Sequence, residues 1–146
     1  MGDSPSRRAT VLIIEDDDRT ASELHSGLSG AGYVVLRAIS ADAALLALES
    51  TPADLILLSL LLPDTDGLIL CSKLTANFPI PIIALTGSGN DVDRALALHS
   101  GAVDCITRPV DAAAFLAQVN AVVAAPRPAA WGAGARLTRT ESPASK

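Results

Sequence analysis

Four places along the chain set polar or charged side chains directly behind apolar runs. Glu15-Asp16 follows Thr10-Val-Leu-Ile-Ile14, Ser59 closes Leu55-Ile-Leu-Leu58, Thr86 follows Ile82-Ile-Ala-Leu85, and Arg108-Pro109 follows Val103 to Thr107. Short runs of this kind read as buried strands. In an open parallel sheet, chemistry collects beyond the carboxyl ends of the strands. Carboxylates at such a place are candidate cation ligands. A guanidinium there can grip a carboxylate through two parallel bonds. A serine hydroxyl is neutral at pH 7 and attacks only with the help of a base.

Other chemistries lack their signatures. A hydrolase nucleophile needs a Gly-x-Ser-x-Gly elbow, and Leu58-Ser59-Leu60 has no glycine. Thr86-Gly-Ser-Gly-Asn90 is a small-residue loop with neither G-x-G-x-x-G spacing nor a phosphate-binding lysine. His25 and His99 neighbour no carboxylate or cysteine at metal-ligand spacing and are expected at the surface. Cys71 and Cys105 lie far apart and are expected to be free, buried thiols in a reducing compartment. The chain is read as a non-enzyme.

The elements that would position these groups alternate strand with helix. A helix from near Arg19, capped by Asp18, would turn Ala21, Leu24, Leu28 and Ala31 inward and end at Gly30 and Gly32. Tyr33 to Arg37 reads as the second strand; Ser40 or Asp42 opens a helix over Ala43–Glu49. After Pro63 and Asp66-Gly67, a helix to about Asn77 would bury Leu70, Cys71 and Leu74. Asp91 to Ser100 is the fourth helix, with Leu96 in the core and Leu98 outside, closed by Gly101. Asp111 caps a last helix through Val123, stopped by Pro126 and Pro128. Five strands alternating with five helices through short connections call for a doubly wound parallel sheet with right-handed crossovers.

The chain has 146 residues, 49% hydrophobic but 3% aromatic, so Leu, Ala, Val and Ile must build its core. A net charge of −5 argues against a nucleic-acid contact by this domain. No apolar run approaches the roughly 20 residues of a membrane span, and the first ten residues lack the apolar stretch of a signal peptide. A cytoplasmic location without membrane contact is expected. Residues 1–9 read as a disordered start, 10–124 as one domain, and 125–146 as a flexible tail or a linker to an output domain.

The acidic pair Glu15-Asp16, the strand-three segment with Pro63 and Asp66-Gly67, the hydroxyl Thr86 and the basic residue before Pro109 together resemble the receiver domains of two-component response regulators. The resemblance covers roughly residues 10–124. It implies a flavodoxin-like (βα)5 domain with strand order 2-1-3-4-5. In that family an aspartate four residues before the strand-three proline takes a phosphoryl group from a histidine kinase. The acidic pair and that aspartate hold Mg2+, a lysine before the last proline holds the phosphoryl oxygens, and the strand-four hydroxyl closes on them. The resemblance further implies a cis Arg108–Pro109 peptide.

Three positions depart from that pattern: the acceptor place is Ser59, the lysine place is Arg108, and a place usually aromatic is Cys105. Losing the acceptor carboxylate removes a Mg2+ ligand, so no cofactor is expected and Mg2+ is weak at most. Arg108 can grip Glu15 or Asp16, and an Arg108–Asp16 pair would fill the metal's place. The expectation is therefore a degenerate receiver (a pseudo-receiver) that is not phosphorylated on aspartate. It would act through protein partners: an output domain, a kinase or a second copy, the last through the helix-four to helix-five face. Leu137-Thr-Arg-Thr-Glu141 resembles a short piece of the winged-helix DNA-binding domains fused to many receivers, which would make transcription control the parent protein's work. The rival reading is a protein switched by phosphorylation of Ser59, or by a small anion held in the crevice by Arg108 and loop amides.

Overall fold

In the computed structural model, which describes residues 8–87, 90–108 and 110–126, the third strand, β3 (Leu55–Ser59), is buried along its whole length. The other strands are β1 (Thr10–Ile14), β2 (Val34–Ala38), β4 (Ile82–Thr86) and β5 (Asp104–Thr107). All pair in parallel in the order β2-β1-β3-β4-β5. The helices between and after them are α1 (Asp18–Gly30), α2 (Ala41–Ser50), α3 (Gly67–Asn77), α4 (Asp91–His99) and α5 (Ala112–Ala124). This is the doubly wound sheet that the alternation called for, in the flavodoxin-like order that the resemblance implied. Among the described residues, no helix is long and apolar enough to cross a membrane.

Successive side chains of a strand point to opposite faces of the sheet. One core holds Leu12, Ile14, Ile56, Leu58, Ile82, Ala84 and Cys105 against α2, α3 and α4. The other holds Val11, Ile13, Leu55, Leu57, Ile83, Leu85 and Ile106 against α1 and α5. The register carries this alternation across the sheet: Ile14 stands beside Leu58, and Leu85 beside Ile106. Every residue at the crevice end is therefore assigned to a face by its place in the count.

Several boundaries and contacts differ from the sequence reading. Asp17, not Asp18, caps α1, because its carboxylate accepts from the Thr20 N–H at 2.8 Å. Ala31 lies beyond the helix and is exposed, since α1 ends at Gly30 and Gly32 takes a positive φ of 97°. Ser40 caps α2, which starts at Ala41 rather than Ala43. β2 is shifted one residue onward, to Val34–Ala38. On α4 the buried residue is Ala97; Leu96 is exposed, contrary to expectation, while Leu98 is exposed as expected. Ala97 belongs to the α2/α3/α4 core, and it is this residue that α4 buries. Asp111 stands at the N-cap of α5, yet its side chain makes no capping bond among the described residues. Cys71 and Cys105 are free and buried, and the histidines are exposed. The expectations for residues 1–7, the Ser88-Gly89 part of the strand-four loop, the Arg108–Pro109 peptide, the tail from 127 onward and Leu137–Glu141 fall outside the described residues.

Candidate functional site

Glu15 and Arg108 lie one residue past their strands, but the ladder still holds them. The Glu15 N–H donates to Ala38 O at 3.0 Å, and the Arg108 N–H to Thr86 O at 3.0 Å. The strand alternation therefore extends to both. By that count Glu15, Ser59 and Arg108 share the α1/α5 side, whereas Asp16 and Thr86 belong to the other. The contacts follow the count. Arg108 Nη2 donates to Glu15 Oε1 and, at 3.1 Å, to Ser59 Oγ. The expected Arg108–Asp16 pair is replaced by Arg108–Glu15, and Asp16 is exposed. The grip runs through one nitrogen rather than through the fork. Arg108 Nε is buried with no hydrogen-bond partner among the described residues, a cost of about 1–3 kcal/mol.

Both acceptors are engaged. Glu15 is 1% exposed, and its Oε2 accepts from the Asp17 N–H at 3.2 Å, so both carboxylate oxygens are engaged. Ser59 is 0% exposed. Its hydroxyl donates to Leu61 O at 3.1 Å, and accepts from the Leu61 N–H at 3.3 Å as well as from Arg108. A shallow cavity of about 290 Å³ lies over this cluster, lined by Glu15, Asp16, Asp17, Thr20, Ser59, Leu61 and Arg108. Among the described residues, no three carboxylate, imidazole or thiol side chains stand where they could share a metal ion.

The loop from Leu60 to Asp66 is fixed at both ends. The Gly67 N–H donates to Leu60 O at 3.2 Å, and a Cβ at Gly67 would collide with the Leu60 backbone, which is why glycine stands there. Asp66 caps α3 by accepting from the Leu68 N–H at 2.8 Å. Asp64 reaches across to α2 and accepts from the N–H groups of Ala41 at 3.0 Å and Asp42 at 3.2 Å. The Ala41 bond chiefly, with that from Asp42, holds the Asp64 carboxyl below its ordinary value of 3.8. Asp17 is lowered as well, mainly by the Thr20 hydroxyl and then by its N–H.

Thr86 and Cys105 are not brought into the cluster. Thr86 is buried and lines a separate cavity of about 530 Å³ with Leu60, Leu61, Leu62, Leu68, Asp66 and Asp93 among its walls. Cys105 sits in the α2/α3/α4 core, where burial pushes its thiol up and the nearby Arg94 partly offsets that. Sequence reasoning overlooked Arg37 on β2. Its Nε and Nη2 donate to Glu15 O at 3.0 and 2.9 Å, and its Nη1 pairs with Asp18 at 2.9 Å. The signal was available: Arg37 stands in register with Ile13, on the face that carries Glu15.

Comparison with known proteins agrees with this architecture. The family model described as "Response regulator receiver domain" matches residues 11–120. The chain is similar to the transcriptional regulatory protein AfsQ1 of Streptomyces coelicolor, with 35% identity over 114 residues, covering 78% of this chain and 51% of that protein. It is similar to the transcriptional regulatory protein BaeR of Escherichia coli, with 36% identity over 113 residues, covering 77% and 47%. The chain thus spans about half the length of these curated relatives. A crystal structure of a two-component response regulator from Clostridium difficile superposes with a TM-score of 0.76 at 29% identity, covering 80% of this chain and 96% of that one.

Proposed function

The chain belongs to the response regulator receiver domain family, and on that premise we propose that it is a degenerate receiver, not phosphorylated on aspartate, that works through protein contact. The observation that carries the reading is the bridge from Arg108 to both Glu15 and Ser59. It uses the oxygens that would otherwise meet a metal ion or a phosphoryl group.

Mg2+ fits this donor set poorly. It requires several oxygen ligands in near-octahedral order. Each Glu15 oxygen already accepts one bond, that at Oε1 from a cation, and Ser59 offers a neutral and fully bonded hydroxyl where a third carboxylate would be needed. A guanidinium within bonding distance of Glu15 adds a positive charge where the cation would sit. The rival reading finds little support. A kinase acting on Ser59 would have to reach a hydroxyl with no exposed surface, and an anion would enter a cavity where three carboxylates, Glu15, Asp16 and Asp17, stand against one guanidinium, Arg108, already paired with Glu15.

Contact is the remaining route for a signal. α4 and its following turn expose Val92, Leu96, Leu98 and Val103; Val92 and Leu96, four residues apart on the helix, share one face, and exposed apolar side chains on one face favour association. We place self-association on this helix-four to helix-five face, and transcription control in the longer protein, as the names of the relatives suggest. The proposal keeps residues 10–124 as the folded unit and Thr86 as a former switch position.

Intact-mass spectrometry after incubation with Mg2+ and acetyl phosphate tests this reading. No mass gain is expected. A phosphoryl group on Ser59 would favour the rival, and one on Asp16, Asp64 or Asp66 would refute the assignment of the acceptor place.

A further inference from the structure

Arg37 lies on β2, the edge strand farthest from Arg108 in the sheet order, yet both arginines converge on Glu15. Arg108 takes the carboxylate; Arg37 takes the main-chain oxygen, with two N–H groups at 3.0 and 2.9 Å. The Glu15 N–H is held at Ala38 O. Glu15 is thus fixed through both halves of its backbone by two adjacent residues of one strand. Resting on the reading above, we infer that Arg37 is a positioning residue that holds the Glu15 backbone in place and thereby aims its carboxylate at Arg108.

The geometry separates this role from a surface ion pair. Arg37 Nη1 also meets Asp18, whose side chain is 93% exposed. A pair so open to water contributes little. The two bonds to Glu15 O are part-buried, and a cation donating to a carbonyl makes a stronger bond than a neutral donor does. Glu15 begins the link between β1 and α1, where the backbone leaves the ladder. Without the Arg37 fork only the Ala38 bond would hold its main chain, the peptide plane would gain freedom to rotate, and the carboxylate would swing with it.

The test is NMR of the Arg108 side chain in the full chain, reading hydrogen exchange at the Nη2 protons and rotation about the guanidinium. In the unsubstituted protein, slow exchange and distinct Nη signals are expected. Arg37→Ala should accelerate exchange at Arg108 Nη2 about tenfold, the scale set by losing a hydrogen bond to a charged group. Asp18→Ala should leave it within about a factor of two, since only the exposed pair is lost. Arg37→Lys keeps a charge near Asp18 but lacks the fork, so it should still accelerate exchange; this variant carries the test if the alanine variant unfolds. Unchanged exchange in Arg37→Lys, or in a folded Arg37→Ala, overturns the inference while leaving the crevice reading intact. Equal acceleration by Asp18→Ala would also overturn it. Fast exchange at Arg108 in the unsubstituted protein would instead overturn the crevice reading itself.

Discussion

The two faces of the sheet end differently at the same edge. On the α1/α5 side, Arg37, Glu15, Ser59 and Arg108 form a row in which each acceptor is engaged by a neighbour. On the α3/α4 side, Thr86 borders a leucine-walled cavity, and α4 beyond it turns apolar side chains to solvent. One strand count separates the two sides, since adjacent residues such as Glu15 and Asp16 must point apart. Under the proposal, that difference closes the edge where family chemistry would occur and leaves it open where contact would occur. In the proposed reading, the module keeps its surface and has lost its reaction.

The largest effect should come from reversing the closure. Ser59→Asp with Arg108→Lys restores a third carboxylate and replaces the guanidinium with an ammonium that releases Glu15 more readily. Intact mass should change from no gain to Mg2+-dependent addition of one phosphoryl group. A double variant that folds, binds Mg2+ and stays unmodified would mean that the closed row is not what prevents the reaction.

Next is the cost of breaking the row from one side. Glu15→Ala leaves the Arg108 guanidinium, 24% exposed, without its carboxylate. Removing one partner of a buried pair costs about 3–5 kcal/mol, and the partial exposure here lowers the expectation to roughly 2–3 kcal/mol. Urea unfolding should show the midpoint falling with an unchanged slope.

The loop that divides the two faces gives a pH signature. The Asp64 carboxyl is held below 3.8 in the folded chain, chiefly by the Ala41 N–H. A depressed folded value means that the unfolded state binds the proton more readily. The stabilisation is therefore complete above about 3.8 and is lost as pH falls through the folded value. Asp64→Asn should flatten stability against pH in that acidic window and leave its shape at neutral pH unaltered. Thermal unfolding of both proteins across that range checks it.

The smallest effect on stability belongs to the open face. Leu96→Glu changes a residue that is 45% exposed, so stability should move by no more than about 0.5 kcal/mol. Self-association, read by sedimentation velocity, should disappear. An oligomer that persists in this variant would move the interface elsewhere.

Three strand positions were legible because apolar runs each end in a polar residue, and five strands alternating with helices called for a parallel sheet, whose order came from the resemblance to receiver domains. Ser59 at the end of β3 was legible for the same reason. The partner of Arg108 was legible only as Glu15 or Asp16; deciding for Glu15 needed the fact that the ladder, and with it the alternation, continues one residue past β1. Leu96 was misplaced because α4 carries apolar residues on more than one face, so hydrophobicity left its phase open. The residue that α4 buries is Ala97. Arg37 and Asp64 escaped notice because each bonds main-chain groups of a distant segment, Arg37 the Glu15 carbonyl and Asp64 the Ala41 and Asp42 N–H groups, and main-chain partners leave no trace in residue type.

A Mg2+ titration of the unsubstituted chain, followed through the Glu15 and Ser59 amides and the Arg108 side chain, tests the closed row most directly. The account predicts no saturable shift at millimolar Mg2+, with Arg108 resonances unmoved. Saturation in that range, with Arg108 released from Glu15 and Ser59, would contradict it.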